Sequence, residues 1–460
     1  MSKKHGGGNR QREFFARSQR PVMQIEESHR LVLLCDQLDW TELEEQAEAI
    51  RKKKLKNGAG RPPQLRALMG ATVLMATRKM SYREAEDQIR HYAPARYLCG
   101  LTESEWTPDF TTIQDFAERM GPEGMSLFNQ VVVKFAAQEK FCDPRVVSAD
   151  TTAQEAAMGW PNEMGLMARF MKSVATLGHR AGQGVRDVVR KLGRTLGRAK
   201  EKVRRYRLFA KTKAARLKLL KEMATLVKRV QRPLSRTLAE GPSRLRGYGK
   251  YAQAKVHHLH ATMKCLLPQI EHWLRTGHVA SGKIINLHIP ELYAIVRGKV
   301  GKAVEFGLSW GMARLKGGYL LATMATHRKE LVDAKFAVRA VDDHIALFGR
   351  APRAYAYDRA AYSKDNISSL RRKGVHHVGL APRGQAPWQV SERVRTWLIK
   401  ERAKIEGSIG ALKSSRYGFH RPAARSVAMM GACGHRAVLG LNLNKLARDI
   451  ARRHEMALTG

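Results

Sequence analysis

Apolar residues recur at three- and four-residue spacings from about Pro21 to Lys140, and that period predicts helices. The stretch GRPPQLRALMGATVLMATRKMSYREAEDQIRHY carries the clearest signals. Pro62 and Pro63 suit a helix start, an apolar run continues to Met75, and Ser81 with Glu84 three residues later forms a capping box that opens a second helix. Two helices across a short turn fit a helix-turn-helix DNA reader or a packed helical hairpin; the hairpin is preferred because no recognition-helix residues stand out. The first twenty residues, rich in Gly and bases, predict a disordered basic tail.

At PRVVSADTTAQE the period changes, and a short β-branched run predicts a strand ending on Asp150. From about Gly165 to Lys264 apolar residues at helical spacing alternate with bases, which predicts long basic helices. After HVASGKIINLHIPEL the pattern turns to strands. KAVEFGLSWGMARL and GGYLLATMAT are joined through Lys316, Gly317 and Gly318, a hairpin signal. A helix follows in KELVDAKFAVRAVDDHIALFG, then a strand in RAYAYDRAAYS with Asp358 just past it, a strand in VHHVGLAPRG, and a helix carrying Glu406. The chain is thus predicted to be mixed, α/β in its sheet-bearing part and α+β overall.

Composition narrows the partners. The 460 residues allow two or three domains, and 43% hydrophobic residues fit a folded protein rather than a disordered polycation. With 83 Lys and Arg against 41 Asp and Glu, the formal net charge is +42 and the pI about 10.5. A polyanion is the natural partner, nucleic acid ahead of an anionic membrane surface. No apolar run of about 18 residues is present to span a bilayer, and the start lacks the apolar core of a secretory signal, so a cytoplasmic protein is expected. The five cysteines (Cys35, Cys99, Cys142, Cys265, Cys433) are scattered with no Cys-x-x-Cys pair, which argues against a disulfide framework or zinc finger. Between Arg169 and Lys255 stand 26 bases and four acids. Its bland reading is a solvated helical arm, but the excess of one sign argues for phosphate contact, with Arg204, Arg205 and Arg207 as a representative cluster.

The segment ERAKIEGSIGALKSS keeps a carboxylate, Glu406, among bases. At about 100° per residue, Arg402, Glu406 and Lys413 share one helix face. An isolated helix would explain this as one i,i+4 ion pair on a solvated face. Two Asp residues leaving strands and a Glu on a later helix are also what a pair of divalent ions needs: Mg²⁺ favours carboxylate oxygen and leaves positions for water and phosphate. Asp150, Asp358 and Glu406 are the candidate catalytic and metal-ligating triad. Glu305, Asp342, Asp343 and Asp365, the last as a helix cap, are assigned structural or surface roles, as are Glu155 and Glu163. His257, His258 and His260 lack metal-ligand spacing and read as a basic surface patch. Trp160 is read as buried, or as a ring that stacks on an unpaired base.

These features in this order resemble the DDE transposases of bacterial insertion sequences. One large group of them shares Tyr, two residues, Arg, three residues, Glu, six residues, Lys. Arg402, Glu406 and Lys413 fit those spacings, while Ile399 stands at the Tyr position. The resemblance implies a ribonuclease H-like catalytic core over 143–168 and 283–430, interrupted by a basic helical insertion over 169–282. It also implies a helical DNA-binding or dimerisation region over 21–142 and a C-terminal helical tail over 431–460. The implied activity is metal-dependent cleavage at terminal inverted repeats and strand transfer into target DNA, with two Mg²⁺ or Mn²⁺ ions, Arg402 and Lys413 on DNA phosphates, and a homodimer at the nucleoid. Two other classes stay open: an architectural DNA-binding protein without cutting, and a ribonuclease H-like nuclease that never joins strands.

Overall fold

The computed structural model describes residues 25–54, 64–101, 106–239, 247–299, 302–325, 327, 330–382 and 387–459. The expected tail over 1–20 and the helix start at Pro62 and Pro63 lie outside them. The chain divides into two units, residues 1–120 with 439–460, and residues 121–438.

The first unit is helical. It holds α1 (Arg30–Gln37), α2 (Trp40–Lys54), α3 (Leu65–Arg78), α4 (Tyr82–His91), α5 (Ala93–Leu98), the beginning of α6 (Phe110–Gln138), and the last helix (Val427–Thr459) from Leu439 on. Every residue of α3 from Ala67 to Thr77 is buried, as expected of a core helix that is apolar on all sides. Ser81 caps α4 with the full capping box: its hydroxyl accepts from Glu84 N–H at 3.3 Å, and its own N–H donates to Glu84 Oε2 at 2.7 Å. Asn444 ties the last helix in, accepting from Arg30 at 2.7 Å and donating to Thr77 O at 3.0 Å. Helix α6 breaks at Gly121, φ 60°, just before Pro122, where the first unit gives way to the second.

The second unit is built on a six-stranded mixed sheet. Its central strand β1 (Asp143–Glu155) precedes five helices: α7 (Glu163–Gly178), α8 (Gln183–Lys191), α9 (Gly193–Leu208), α10 (Lys213–Ala239) and α11 (Gly247–Thr276). Then come β2 (Tyr293–Lys299), β3 (Lys302–Lys316), β4 (Leu320–Met324), α12 (Asp333–Phe348), β5 (Ala354–Tyr357), α13 (Lys364–Arg372), β6 (His377–Leu380), α14 (Glu392–Lys413) and α15 (Val427–Thr459). β3 pairs antiparallel with β1 on one side, and β2 and β4 both pair antiparallel with β3. On the other side β5 runs parallel to β1, and β6 parallel to β5.

Alternation along the strands sorts two cores onto the two faces of the sheet. Val147, Ala149, Tyr355 and Tyr357 pack with Phe336 and Val341 of α12 and Leu370 of α13. Val146, Ala354 and Ala356 pack with Leu398 of α14. The hairpin turn falls at Gly317 and Gly318, φ 110° and 103°, left-handed values that glycine adopts without steric cost. Two expectations need correction. β1 does not stop at Asp150 but continues to Glu155, because β3 pairs with it as far as Glu155↔Gly307. The segment YAIVRGK, not singled out from its sequence, forms β2 on the far side of β3.

The five helices between β1 and β2 have a hydrophobic core of their own. Met164, Phe170, Met223, Val227, Leu259 and Met263 are among its members. The apolar positions between the bases are therefore the inner face of a bundle, and the bases are left to its outside.

Trp310 of β3 is fully buried and donates its indole N–H to Gln154 Oε1 at 3.0 Å. A Cβ at Gly434 of α15 would stand 2.2 Å from the indole Cζ2. Gly434→Ala should therefore lower the melting temperature despite the better helix propensity of Ala, by about 1–3 kcal/mol of overpacking. Gly197→Ala on α9 has nothing within 4 Å and should raise stability by roughly 0.5–1 kcal/mol. Thermal unfolding of the two variants, with opposite signs expected, checks the packing.

Candidate active site

β1 and β5 are parallel in the register Val146↔Ala354, Val147↔Tyr355 and Ser148↔Ala356. Two residues beyond the last pair lie Asp150 and Asp358. By alternation both continue the row of Val146, Ala354 and Ala356, on the face covered by α14. Asp358 caps the 3-10 turn Arg359–Ala361, accepting from Ala360 N–H at 2.9 Å. Asp150 Oδ1 accepts from Thr151 N–H at 2.7 Å.

Burial pushes the Asp150 carboxyl up from its ordinary 3.8 to about 6; the Thr151 N–H opposes this, Asp358 and Asp333 add to the rise, and Arg402 pulls it down. Three acids, Asp150, Asp358 and Asp333, thus share one neighbourhood, with Asp150 and Asp358 both half-buried. Their donors are carboxylate oxygens, which suit Mg²⁺ or Mn²⁺. Asp150 and Asp358 are the residues here that could hold such an ion.

Glu406 is in a different situation. It is exposed on α14, with Arg402 Nη2 at 3.1 Å from its Oε1. Among the described residues no three His, Cys, Asp or Glu side chains are gathered as a metal-holding group. Asp358, Asp333 and Arg402 all act on the Asp150 carboxyl, while Glu406 is engaged in its pair with Arg402. The buried glutamate of the same helix is Glu401, 4% exposed, with Lys404 Nζ at 2.6 Å and Arg314 of β3 at 3.6 Å. Five residues apart, the two glutamates point about 140° apart around the helix.

Asp333 was missed by sequence reasoning. It is the first residue of α12, and its Oδ1 accepts from the Thr151 hydroxyl at 2.7 Å and the Tyr357 hydroxyl at 3.1 Å. It thereby pins the residues that follow Asp150 and precede Asp358. An acid opening a helix complements the helix dipole, so the sequence signal for Asp333 is that of an ordinary first-turn residue.

An open cleft of 620 Å³ lies against this site, with Arg359, Trp388, Arg395, Ile399 and Arg402 among its walls. Ile399 presents an apolar surface there, 46% exposed. Arg395 Nε and Arg402 Nε are buried without a hydrogen-bond partner. Lys413 is the last residue of α14, nearly two turns beyond Glu406. Arg204, Arg205 and Arg207 are all exposed on α9, with Glu201 4.0 Å from Arg205.

The rival residues resolve individually. Asp342 pairs with Lys373 at 2.5 Å, and Asp343 accepts from the Thr323 hydroxyl at 2.9 Å. Ser363, not Asp365, caps α13, accepting from Asn366 N–H at 3.0 Å, because its hydroxyl sits one position before the helix. Glu163 pairs with Lys283, and Glu155, 7% exposed, faces His420 at 3.9 Å. The histidines are not all on the surface: His260 is buried, 2.9 Å from Ser235 Oγ, since it falls on the inner face of α11. Trp160 is 71% exposed.

No helix among the described residues is long and apolar enough to cross a membrane. No curated protein and no solved structure matches the chain. Residues 21–119, about a fifth of the chain, match the family model described as Transposase domain (DUF772), a match that supports the likeness to the insertion-sequence transposases.

Proposed function

We propose that the protein is a DDE transposase, which cleaves DNA at the terminal inverted repeats of its element and joins the freed 3′ hydroxyls to target DNA. The observation that carries this reading is that Asp150 and Asp358 each lie two residues beyond the last pair of the parallel strands β1 and β5, in line with the face that α14 covers. The sheet order supports a ribonuclease H-like core: antiparallel β4, β3 and β1, then parallel β5 and β6. The transposase-domain match over 21–119 supports it from the other end of the chain.

In this reading Asp150 and Asp358 would hold Mg²⁺ or Mn²⁺, and Glu406 would be the third carboxylate once released from its pair with Arg402. Two bound ions would supply activation of the attacking oxygen and stabilisation of the leaving one in an in-line displacement. Arg402 does two jobs: it pairs with Glu406 and offers a guanidinium to phosphate. The unpartnered Nε atoms of Arg395 and Arg402 gain acceptors when a DNA phosphate enters the cleft. Lys413 and the exposed bases of the bundle, Arg204, Arg205 and Arg207 among them, extend the contact to neighbouring phosphates. The active species is a homodimer that pairs two ends at the nucleoid in the cytoplasm.

Short inverted repeats in the DNA flanking the gene supply the substrate for the test. A duplex carrying such an end is incubated with the protein and Mg²⁺ or Mn²⁺, and nicked and joined products are separated. Nicking at the repeat boundary followed by joining is expected. Nicking without joining would leave a nuclease, and binding without nicking an architectural protein.

A further inference from the structure

A second cavity, of 490 Å³, lies in the same unit and plays no part in the carboxylate site. Met158, Arg169, Tyr251, Lys255, His288 and Arg425 are among its walls. They come from the loop after β1, from α7 and α11 of the bundle, from the segment before β2 and from the segment before α15. Of the twelve wall residues, Arg169, Lys255 and Arg425 bring cationic side chains and His288 an imidazole.

The walls are held in place by named bonds. Arg421 donates its N–H to Glu155 O at 3.0 Å and its guanidinium to Met158 O at 3.2 Å. Asn286 Oδ1 accepts from His288 N–H at 2.8 Å and Ile289 N–H at 3.2 Å. The cations also feel one another. Lys255 is held below its ordinary value by burial and then by Arg425, with Glu291 pulling the other way. His288 is held down by burial and then by Lys255, Arg169 and His258. Like charges drawn into a cavity destabilise the fold unless an anion sits among them.

Aromatic rings stand at the rim. Tyr251 is 51% exposed, and Trp160, next to the cavity residue Gly159, is 71% exposed. Exposed rings beside a cationic pocket fit a nucleic-acid strand, whose phosphates and bases need both.

We propose that this cavity is a phosphodiester pocket for a nucleic-acid strand, in which Arg169, Lys255 and Arg425 hold one backbone phosphate and Tyr251 and Trp160 offer ring faces to the neighbouring bases. The proposal rests on the reading that the chain acts on DNA. It adds a contact outside the Asp150–Asp358 face.

The test uses the full chain as wild type and as the Lys255→Gln/Arg425→Gln double variant. Binding of a labelled duplex of about 30 base pairs is followed by fluorescence anisotropy across a KCl series, and unfolding is followed with and without inorganic phosphate. The double variant should lose roughly tenfold in affinity, and its log–log salt slope should flatten by about 0.9 for the one phosphate released. Its melting temperature without DNA should rise, because repulsion is relieved; a purely structural cluster would lose stability instead. Inorganic phosphate in the millimolar range should raise the melting temperature of the wild type and leave the variant unmoved.

If the wild type binds DNA and the variant matches it in affinity and slope, the pocket fails and the DNA reading stands. If the wild type binds no DNA while phosphate still protects it through Lys255 and Arg425, the cavity takes free phosphate. That result overturns the strand assignment together with the DNA reading. Arg425→Gln alone serves as the second variant should the double one not fold, with the same outcomes read from it.

Discussion

Asp150→Asn should abolish metal-dependent cleavage, by at least roughly a thousandfold or about 4 kcal/mol of barrier, and at the same time make the metal-free protein more stable. The loss follows from the proposed role of Asp150 in holding the ion. The gain follows from the Asp150 carboxyl being lifted from 3.8 to about 6, first by burial. A carboxyl whose folded value lies above its unfolded one binds more protons in the folded state between the two values. Stability therefore falls as pH rises from about 4 to about 6, and above 6 the full penalty of roughly 2–3 kcal/mol is present. Asparagine, which stays neutral, escapes it. At pH 8 with chelator the variant should melt above the wild type, and at pH 4 the gap should close. Mg²⁺ should raise the melting temperature of the wild type and not of the variant. A variant that still cleaves within tenfold of wild type removes Asp150 from the chemistry, and a gap independent of pH removes the charge argument.

Glu401→Gln and Glu406→Gln should fail in opposite ways. Glu401 is buried against Arg314, whose side chain is 11% exposed. Neutralising it leaves a guanidinium in the interior without its counter-charge, a change that costs about 3–5 kcal/mol. The variant should melt well below the wild type yet cut at low temperature. Glu406, exposed and paired only across one helical turn with Arg402, contributes little to stability, so Glu406→Gln should keep its melting temperature and lose cleavage. Measured together at a temperature where both are folded, a dead Glu401 variant and an active Glu406 variant would exchange the two assignments.

What the sequence revealed depended on how far the deciding interaction reached. Ser81 and Glu84, or Gly317 and Gly318, act within a few residues, and both motifs were legible. Asp358 was placed just past a strand in RAYAYDRAAYS, and β5 ends at Tyr357, one residue before it. The end of β1 was not legible, because the residues that extend it past Asp150 lie in β3. The bases between α7 and α11 showed helices but not their shared core, since helical period says which face is apolar and nothing about what covers it. Asp333 was hidden for the same reason: its partners Thr151 and Tyr357 are brought to it by the sheet. Glu406 was found from its spacing to Arg402, and the same spacing accounts for the ion pair between them.

The placement of the helical bundle between the two longest strands bears on how the chain folds. β1 and β3 form the longest pairing in the sheet, yet Glu155 must meet Gly307 across the entire bundle. Closing so long a loop as unstructured chain is slow, and contacts of high sequence separation dominate folding time. A bundle with its own core can form first from local contacts and shorten the stretch that remains to be closed. The entropy saved is modest, about 1 kcal/mol for a fourfold shorter loop. Its larger consequence is one of order: in such a sequence the edge of β1 that β3 covers is the last to be paired after the bundle forms, and an unpaired strand edge in an intermediate is a general route to aggregation.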